Sequence, residues 1–195
     1  MRGANPLTRQ QVKEVLKATD SIREKALLTL GFATGYRISE LLSLTVGDIC
    51  TNGTIHSHVN VKAANTKTKQ GRTVLLNSDA KKALTVLINW LQLKGLNDKT
   101  TPLFVSRKHT NGYAAISRQQ AHKLLKDLFA LIGAVGSSYS THTMRKTFAK
   151  AIYDATGGKI ELVQIALGHK AITSTVSYLS FNTSSIDHAI HAMEF

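Results

Sequence analysis

Apolar residues in this chain recur again and again at helical spacing and then stop at a glycine, and only one stretch alternates as a strand does. Val12, Val15 and Leu16 lie on one face after Thr8, whose hydroxyl can cap the first turn. SIREKALLTLGFATG stops at Gly35, and SDAKKALTVLINWLQLKG, with Leu84, Leu87, Ile88 and Leu91 on one face, ends at Gly95. SRQQAHKLLKDLFALIG has Ser117 as its cap, and HTMRKTFAKAIYDATGG ends at Gly157. IELVQIALGH, ITSTVSYLS and SSIDHAIHAMEF are three further short helices. ISELLSLTVGDI reads as a helix closing on Gly47. IHSHVNVKA alternates apolar and polar, and a polar, basic turn from Asn65 to Arg72 around Gly71 leads into RTVLL, which together make a hairpin. PLFVSRKHTNGYA, with a turn at Asn111-Gly112, is where the break between the two halves of the fold is expected. The pattern predicts one compact domain, mainly α with a small antiparallel β-sheet (α+β).

The charge narrows the partners. With 25 Lys and Arg against 12 Asp and Glu in 195 residues, the net charge is +13, a self-repulsion that a polyanion would relieve. Aromatic residues make up only 6%, and no paired aromatics sit in a strand that would stack single-stranded bases, so duplex DNA gripped through its phosphates is favoured. Cys50 is alone, without a CxxC or a Cys/His cluster, which points to a reducing interior. His56 and His58 share a strand face without further ligands, and TGGK at 156–159 lacks the upstream glycine of a phosphate loop. No metal site is expected. MRGANPLTRQQ has no apolar core of signal-peptide length, and no run of about 18 apolar residues occurs, so a cytoplasmic protein is expected.

Three stretches carry the chemistry. GYRISELLSL holds Arg37 with Glu40 three residues on, HTMRKTFA holds His142 and Arg145 one turn apart, and LGHKAITSTVSY holds His169 and, nine residues later, Tyr178. A phosphate undergoing displacement carries spread negative charge that planar guanidiniums hold bidentately. A phenol with a pKa of about 10 can attack phosphorus only with a base and a cationic pocket beside it. The leaving 5′-alkoxide needs an acid, and the basic hairpin tip is its sensible source, with Lys67 and Lys69 competing.

These motifs, in this order over nearly the whole chain, resemble the catalytic domain of the tyrosine site-specific recombinases, or phage integrase family. The resemblance implies that Tyr178 is the nucleophile, Arg37 and Arg145 grip the nonbridging oxygens, and Glu40 orients Arg37. It implies His142 as acid/base and His169 as a hydrogen-bond donor to the phosphate. It matches Lys67 to the family's hairpin lysine and leaves Lys69 and Arg72 to hold DNA phosphates; Lys146, after the second arginine where many members have histidine, joins the DNA contacts. No cofactor is implied, because a phosphotyrosyl bond conserves the energy of the broken diester and neither ATP nor metal is needed.

The implied activity is metal-free breakage and rejoining of duplex DNA through a 3′-phosphotyrosyl link, giving integration, excision or inversion of a mobile element. Rival readings are a type IB topoisomerase, which rejoins the same strand, and a non-catalytic DNA-binding regulator. One catalytic domain is expected over 1–195, with a core over about 7–180 and a tail helix over 181–195. Many members carry a further N-terminal DNA-clamping domain, whose absence here would weaken DNA binding. In the tail, Ile186, Ala189, Ile190 and Met193 form an apolar stripe that either folds back on its own domain or docks on a neighbour, closing a homotetramer on DNA. Accessory DNA-bending proteins and a bacterial or phage-encoded, nucleoid-associated setting complete the expectation.

Overall fold

In a computed structural model of the chain, residues 4–63, 71–106 and 113–179 are described; Lys67, Lys69, the turn at Asn111-Gly112 and the stripe of Ile186, Ala189, Ile190 and Met193 lie outside them. Several of the described helices begin at a side-chain cap. Thr8 Oγ1 accepts the Gln11 amide at 3.2 Å while the Gln11 side chain accepts the Thr8 amide at 3.0 Å, and this capping box opens α1 (Arg9–Lys17). Ser21 opens α2 (Ile22–Thr34), which ends at Gly35 in the left-handed conformation, φ 58°. Asn77 opens α5 (Ser78–Leu93), where Leu84, Leu87, Ile88 and Leu91 are buried as their spacing predicts. Ser117 forms a second capping box with Gln120 at the start of α6 (Arg118–Ala130). Ser140 caps α7 (Thr141–Ala155), and α8 (Ile160–Leu167) and α9 (Ile172–Leu179) follow.

Three local expectations are corrected by tertiary contacts. The segment after Arg37 is two helices, α3 (Ile38–Leu42) and α4 (Val46–Ile49), and Gly47 lies inside the second. The chain breaks there because Val46 and Gly47 donate their amides to Thr101 and Lys99 carbonyls, and Thr45 donates both its amide and its hydroxyl to Asp48 Oδ2 to start a new turn. A Cβ on Gly47 would come within 3.0 Å of the Lys99 carbonyl, so glycine serves a close approach and not a stop. The alternating stretch is likewise divided. β1 (Cys50–Thr51) pairs with β2 (Thr54–Ile55), and β3 (His58–Val61) pairs antiparallel with β4 (Arg72–Leu75) in a separate sheet. His56 therefore stands between strands, donating its amide to Ile49. Nor does the chain break at Pro102. Leu103, Phe104 and Val105 are buried, and their backbone bonds to Leu44 and Ile116 tie both halves into one core.

That core runs from Leu7 to Met144 and includes α2, α5 and α6, with Val59 and Val61 contributed by the hairpin. A smaller core of Phe148, Ala149, Val163 and Leu167 joins α8 and α9 to the second half of α7. α7 spans both, and its crossing with α2 is unusually close. Added Cβ atoms on Gly31 and Gly35 would lie 2.5 Å from Met144 Sδ and 2.3 Å from Phe148 Cδ1. The glycines four residues apart on α2 receive the side chains four residues apart on α7, which lets the two backbones approach. Mainly helical with two small antiparallel hairpins, the architecture is α+β as expected. Among the described residues no helix is long and apolar enough to cross a membrane.

Candidate active site

The close crossing of α2 and α7 assembles the site at the end of α2. Gly35 turns the chain out of the helix and Tyr36 then points inward, fully buried, with its hydroxyl 2.6 Å from the Arg72 carbonyl and 2.9 Å from that of Val59. Burial, opposed by the nearby Arg72, pushes this phenol up to about 12. Tyr36 is therefore a neutral anchor, and the next residue, Arg37, is held at the first turn of α3. Glu40 is buried; its Oε2 accepts the Arg37 amide at 2.7 Å and its Oε1 accepts Nη1 at 2.7 Å. One carboxylate thus fixes both the backbone and the guanidinium of Arg37, whose side chain stays 24% exposed and can still meet a ligand.

Arg145 enters from α7 and is only 2% exposed. It donates Nη1 to the Gly35 carbonyl at 2.6 Å and Nη2 to the Leu167 carbonyl at 2.7 Å, bridging the ends of α2 and α8. Burial, then the charges of Arg37 and Arg72, lower it to about 10, so it stays a cation at neutral pH. One turn earlier on α7, His142 places Nδ1 3.4 Å from the Tyr178 hydroxyl, at the long limit of a hydrogen bond. Such bonds commonly tighten once substrate is bound.

His169 leaves α8 through Gly168, φ 65°, and places Nδ1 3.0 Å from Thr175 Oγ1 on α9. With Nδ1 engaged by Thr175, Nε2 is the ring nitrogen left for a ligand. The imidazole ring meets that of Tyr178 edge to face at 5.6 Å. Burial and the charges of Arg145, Arg37 and Arg72 push His169 down to about 4; burial and then Arg145, Arg37 and Lys146 lower His142 as well. Both imidazoles are neutral near pH 7. For Tyr178 burial raises the phenol pKa against the pull of Arg145 and Arg37, so the hydroxyl keeps its proton until a base takes it.

Arg37, Glu40, His142, Arg145, His169 and Tyr178 are thus gathered from α3, α7, α8 and α9. Two expected DNA contacts are placed differently. Lys146 is 6% exposed, with Nζ 5.5 Å from the Tyr178 ring, because the α7 face that carries it is covered by α9. The Arg72 guanidinium is turned inward, donating to the Ala166 and Thr34 carbonyls and lying 4.3 Å from the Tyr36 ring. Thr175, fully buried, and Gly31 add to the site two residues to which the motifs alone assign no role. Thr175 lies one turn before Tyr178 within the LGHKAITSTVSY motif, and Gly31 lies four residues before Gly35. Among the described residues no group of three or more His, Cys, Asp or Glu could hold a metal ion. What has been built is a cationic pocket around a protonated phenol, with a neutral imidazole able to accept its proton.

The chain belongs to the phage integrase family, whose family model matches residues 5–184. It is 26% identical over 196 residues to the tyrosine recombinase XerD of Rickettsia prowazekii, covering 94% of this chain and 61% of that protein. The crystal structure of XerA recombinase superposes with a TM-score of 0.74 at 24% identity, covering 100% of this chain and 66% of the other. The Tn1549 transposon integrase, solved in complex with circular intermediate DNA, gives 0.69 at 21% identity, covering 96% and 66%. The fold is therefore the one shared by tyrosine recombinases, and the chain spans less than two thirds of the length of these relatives.

Proposed function

We propose that this chain is the catalytic domain of a site-specific DNA recombinase that breaks and rejoins duplex DNA through Tyr178. The observation that carries the reading is the convergence on one phenol: His142 Nδ1 at 3.4 Å from its oxygen, and the Arg145 guanidinium at 5.9 Å from its ring. The phenol oxygen attacks the scissile phosphorus and its proton passes to neutral His142, while the bond from phosphorus to the 5′ oxygen breaks. Arg37, Arg145 and His169, donating through Nε2, carry the charge that develops on the nonbridging oxygens. The 5′ oxygen takes a proton from Lys67, the choice over Lys69. A 3′-phosphotyrosyl link and a free 5′-hydroxyl result, and a 5′-hydroxyl from a partner duplex reverses each step. One ester bond replaces another throughout, so the exchange needs no external energy.

A net charge of +13 supports duplex DNA as the substrate. The DNA complex of the transposon integrase, which has the same fold, is in keeping with it. The finer reading is a homotetramer on DNA joined through the tail after residue 180, aided by DNA-bending proteins in a cytoplasmic setting, with integration, excision or inversion as the outcome. Incubation with a nicked suicide duplex, from which the 5′ fragment diffuses away, tests the chemistry. The wild type should accumulate a covalent protein–DNA adduct, and Tyr178→Phe should bind the duplex but form none. Adduct formation by the Phe variant would assign the nucleophile elsewhere.

A further inference from the structure

The ends of α2 and α8 face each other, and the carbonyls there come in consecutive pairs. Arg145 takes one from each helix, Gly35 and Leu167. Arg72 takes the preceding one from each, donating Nη2 to Thr34 at 2.7 Å and Nη1 to Ala166. Both helices have just turned out through a left-handed glycine, so these carbonyls lie where a helix leaves acceptors without partners of its own. Two negative helix ends pointed at one another would repel, and would disfavour an anion nearby; two guanidiniums bound between them reverse that charge.

Arg72 is built in from every side. Its stem passes over Gly168, where a Cβ would come within 3.2 Å of Cδ. Its guanidinium lies 4.3 Å from the centre of the Tyr36 ring, and the Tyr36 hydroxyl is 2.6 Å from its carbonyl. Its backbone closes the β3–β4 ladder opposite Val61, the last pair before residues 64–70. The residues that follow the two clamped helix ends are Tyr36-Arg37 on one side and Gly168-His169 on the other.

We propose that Arg72 is a positioning residue of the recombination site: it ties the end of α2 to the end of α8, and thereby sets the separation of Arg37 from His169 and seats the connection-side end of the β3–β4 ladder against both. It does not hold DNA phosphate. This rests on the strand-exchange reading above, whose residues it places. A lysine cannot replace it, because a single ammonium on a flexible stem lacks the planar fork that spans two carbonyls on opposed helices.

The test uses the full chain with Arg72→Lys and Arg72→Gln. Single-turnover adduct formation on the nicked duplex, at saturating protein, should fall about a hundredfold in both, the usual effect of misplacing reacting groups by about 1 Å. Duplex affinity and its dependence on salt should match the wild type. A phosphate contact behaves otherwise: its loss lowers the slope of log K against log salt by about 0.9, and lysine largely restores it. A wild-type rate for Arg72→Lys, or a slope reduced by about 0.9 in Arg72→Gln, would overturn the proposal. A second measurement needs no variant. In the wild-type protein the Arg72 Nη protons should give separate, slowly exchanging NMR signals that stay in place when uncleavable duplex is added. Averaged signals, or signals that move with DNA, would overturn the proposal too. The NMR result stands apart from cleavage, so failure of the wild type to form an adduct would count against the strand-exchange reading and leave the clamp judged on its own.

Discussion

Gly35→Ala is the sharpest test of how the site is assembled, because the same substitution elsewhere isolates its cause. At Gly35 an alanine meets two penalties. With φ at 58° the left-handed backbone costs a residue with a Cβ about 1 kcal/mol. The new Cβ would also lie 2.3 Å from Phe148 Cδ1 and 2.8 Å from Cγ, inside any allowed contact, and overpacking of this kind costs about 1–3 kcal/mol. At Gly95, φ is 69° and nothing lies within 4 Å of an added Cβ, so only the first penalty applies. Urea unfolding followed by circular dichroism should put Gly35→Ala about 2 kcal/mol below Gly95→Ala at unchanged m-value. Relief of the clash moves α7 from α2 and stretches the 2.6 Å bond from Arg145 to the Gly35 carbonyl, so adduct formation should fall in Gly35→Ala alone. Adding Phe148→Leu should recover part of both losses. If the two alanine variants are equally stable within about 0.5 kcal/mol, the close helix crossing does not hold the site together and the argument fails.

Arg37→Ala and Arg145→Ala should each slow cleavage by a hundredfold or more, since a preorganised donor to a developing charge is commonly worth about 3 kcal/mol. Arg145→Ala should in addition lower the urea midpoint, because the Gly35 and Leu167 carbonyls lose their donor; equal stability of the two variants would contradict the geometry. The pH dependence follows from the depressed histidines. His142 acts as a base only when neutral, and burial with the charges of Arg145, Arg37 and Lys146 holds it below the ordinary histidine value, so the acid limb of kcat/KM for cleavage should lie at lower pH than an unperturbed imidazole would give. An acid limb starting above pH 7 would remove His142 from that role. Carbon-13 NMR of the His169 ring in the free protein should show no protonation until the pH approaches about 4. A substrate with sulfur at the 5′-bridging position needs no general acid and should rescue Lys67→Ala; rescue of Lys69→Ala instead would move the acid along the hairpin.

Local physics made much of this protein legible from its sequence. Thr8 and Ser117 cap helices because a short polar side chain satisfies an amide three residues away, a contact that needs no distant partner. The apolar face of α5 and the left-handed stop at Gly35 are of the same kind, and the motifs around Arg37, Arg145 and Tyr178 named the residues that gather at the site. Tertiary structure decided what depended on segments far apart in the chain. The break between α3 and α4 is made by amides that pair with residues 99–101, and the strand divides because His56 pairs back to Ile49. Arg72 and Lys146 are expected at DNA from the resemblance, and where their side chains lie could be read only from the packing. Their surroundings come from α8 and α9, more than ninety residues beyond Arg72 and a full helix beyond Lys146. A long cationic side chain can reach solvent or the end of a buried helix with equal ease. Only the packing of α2 against α7, through Gly31 and Gly35, brings the carbonyls close enough to claim it.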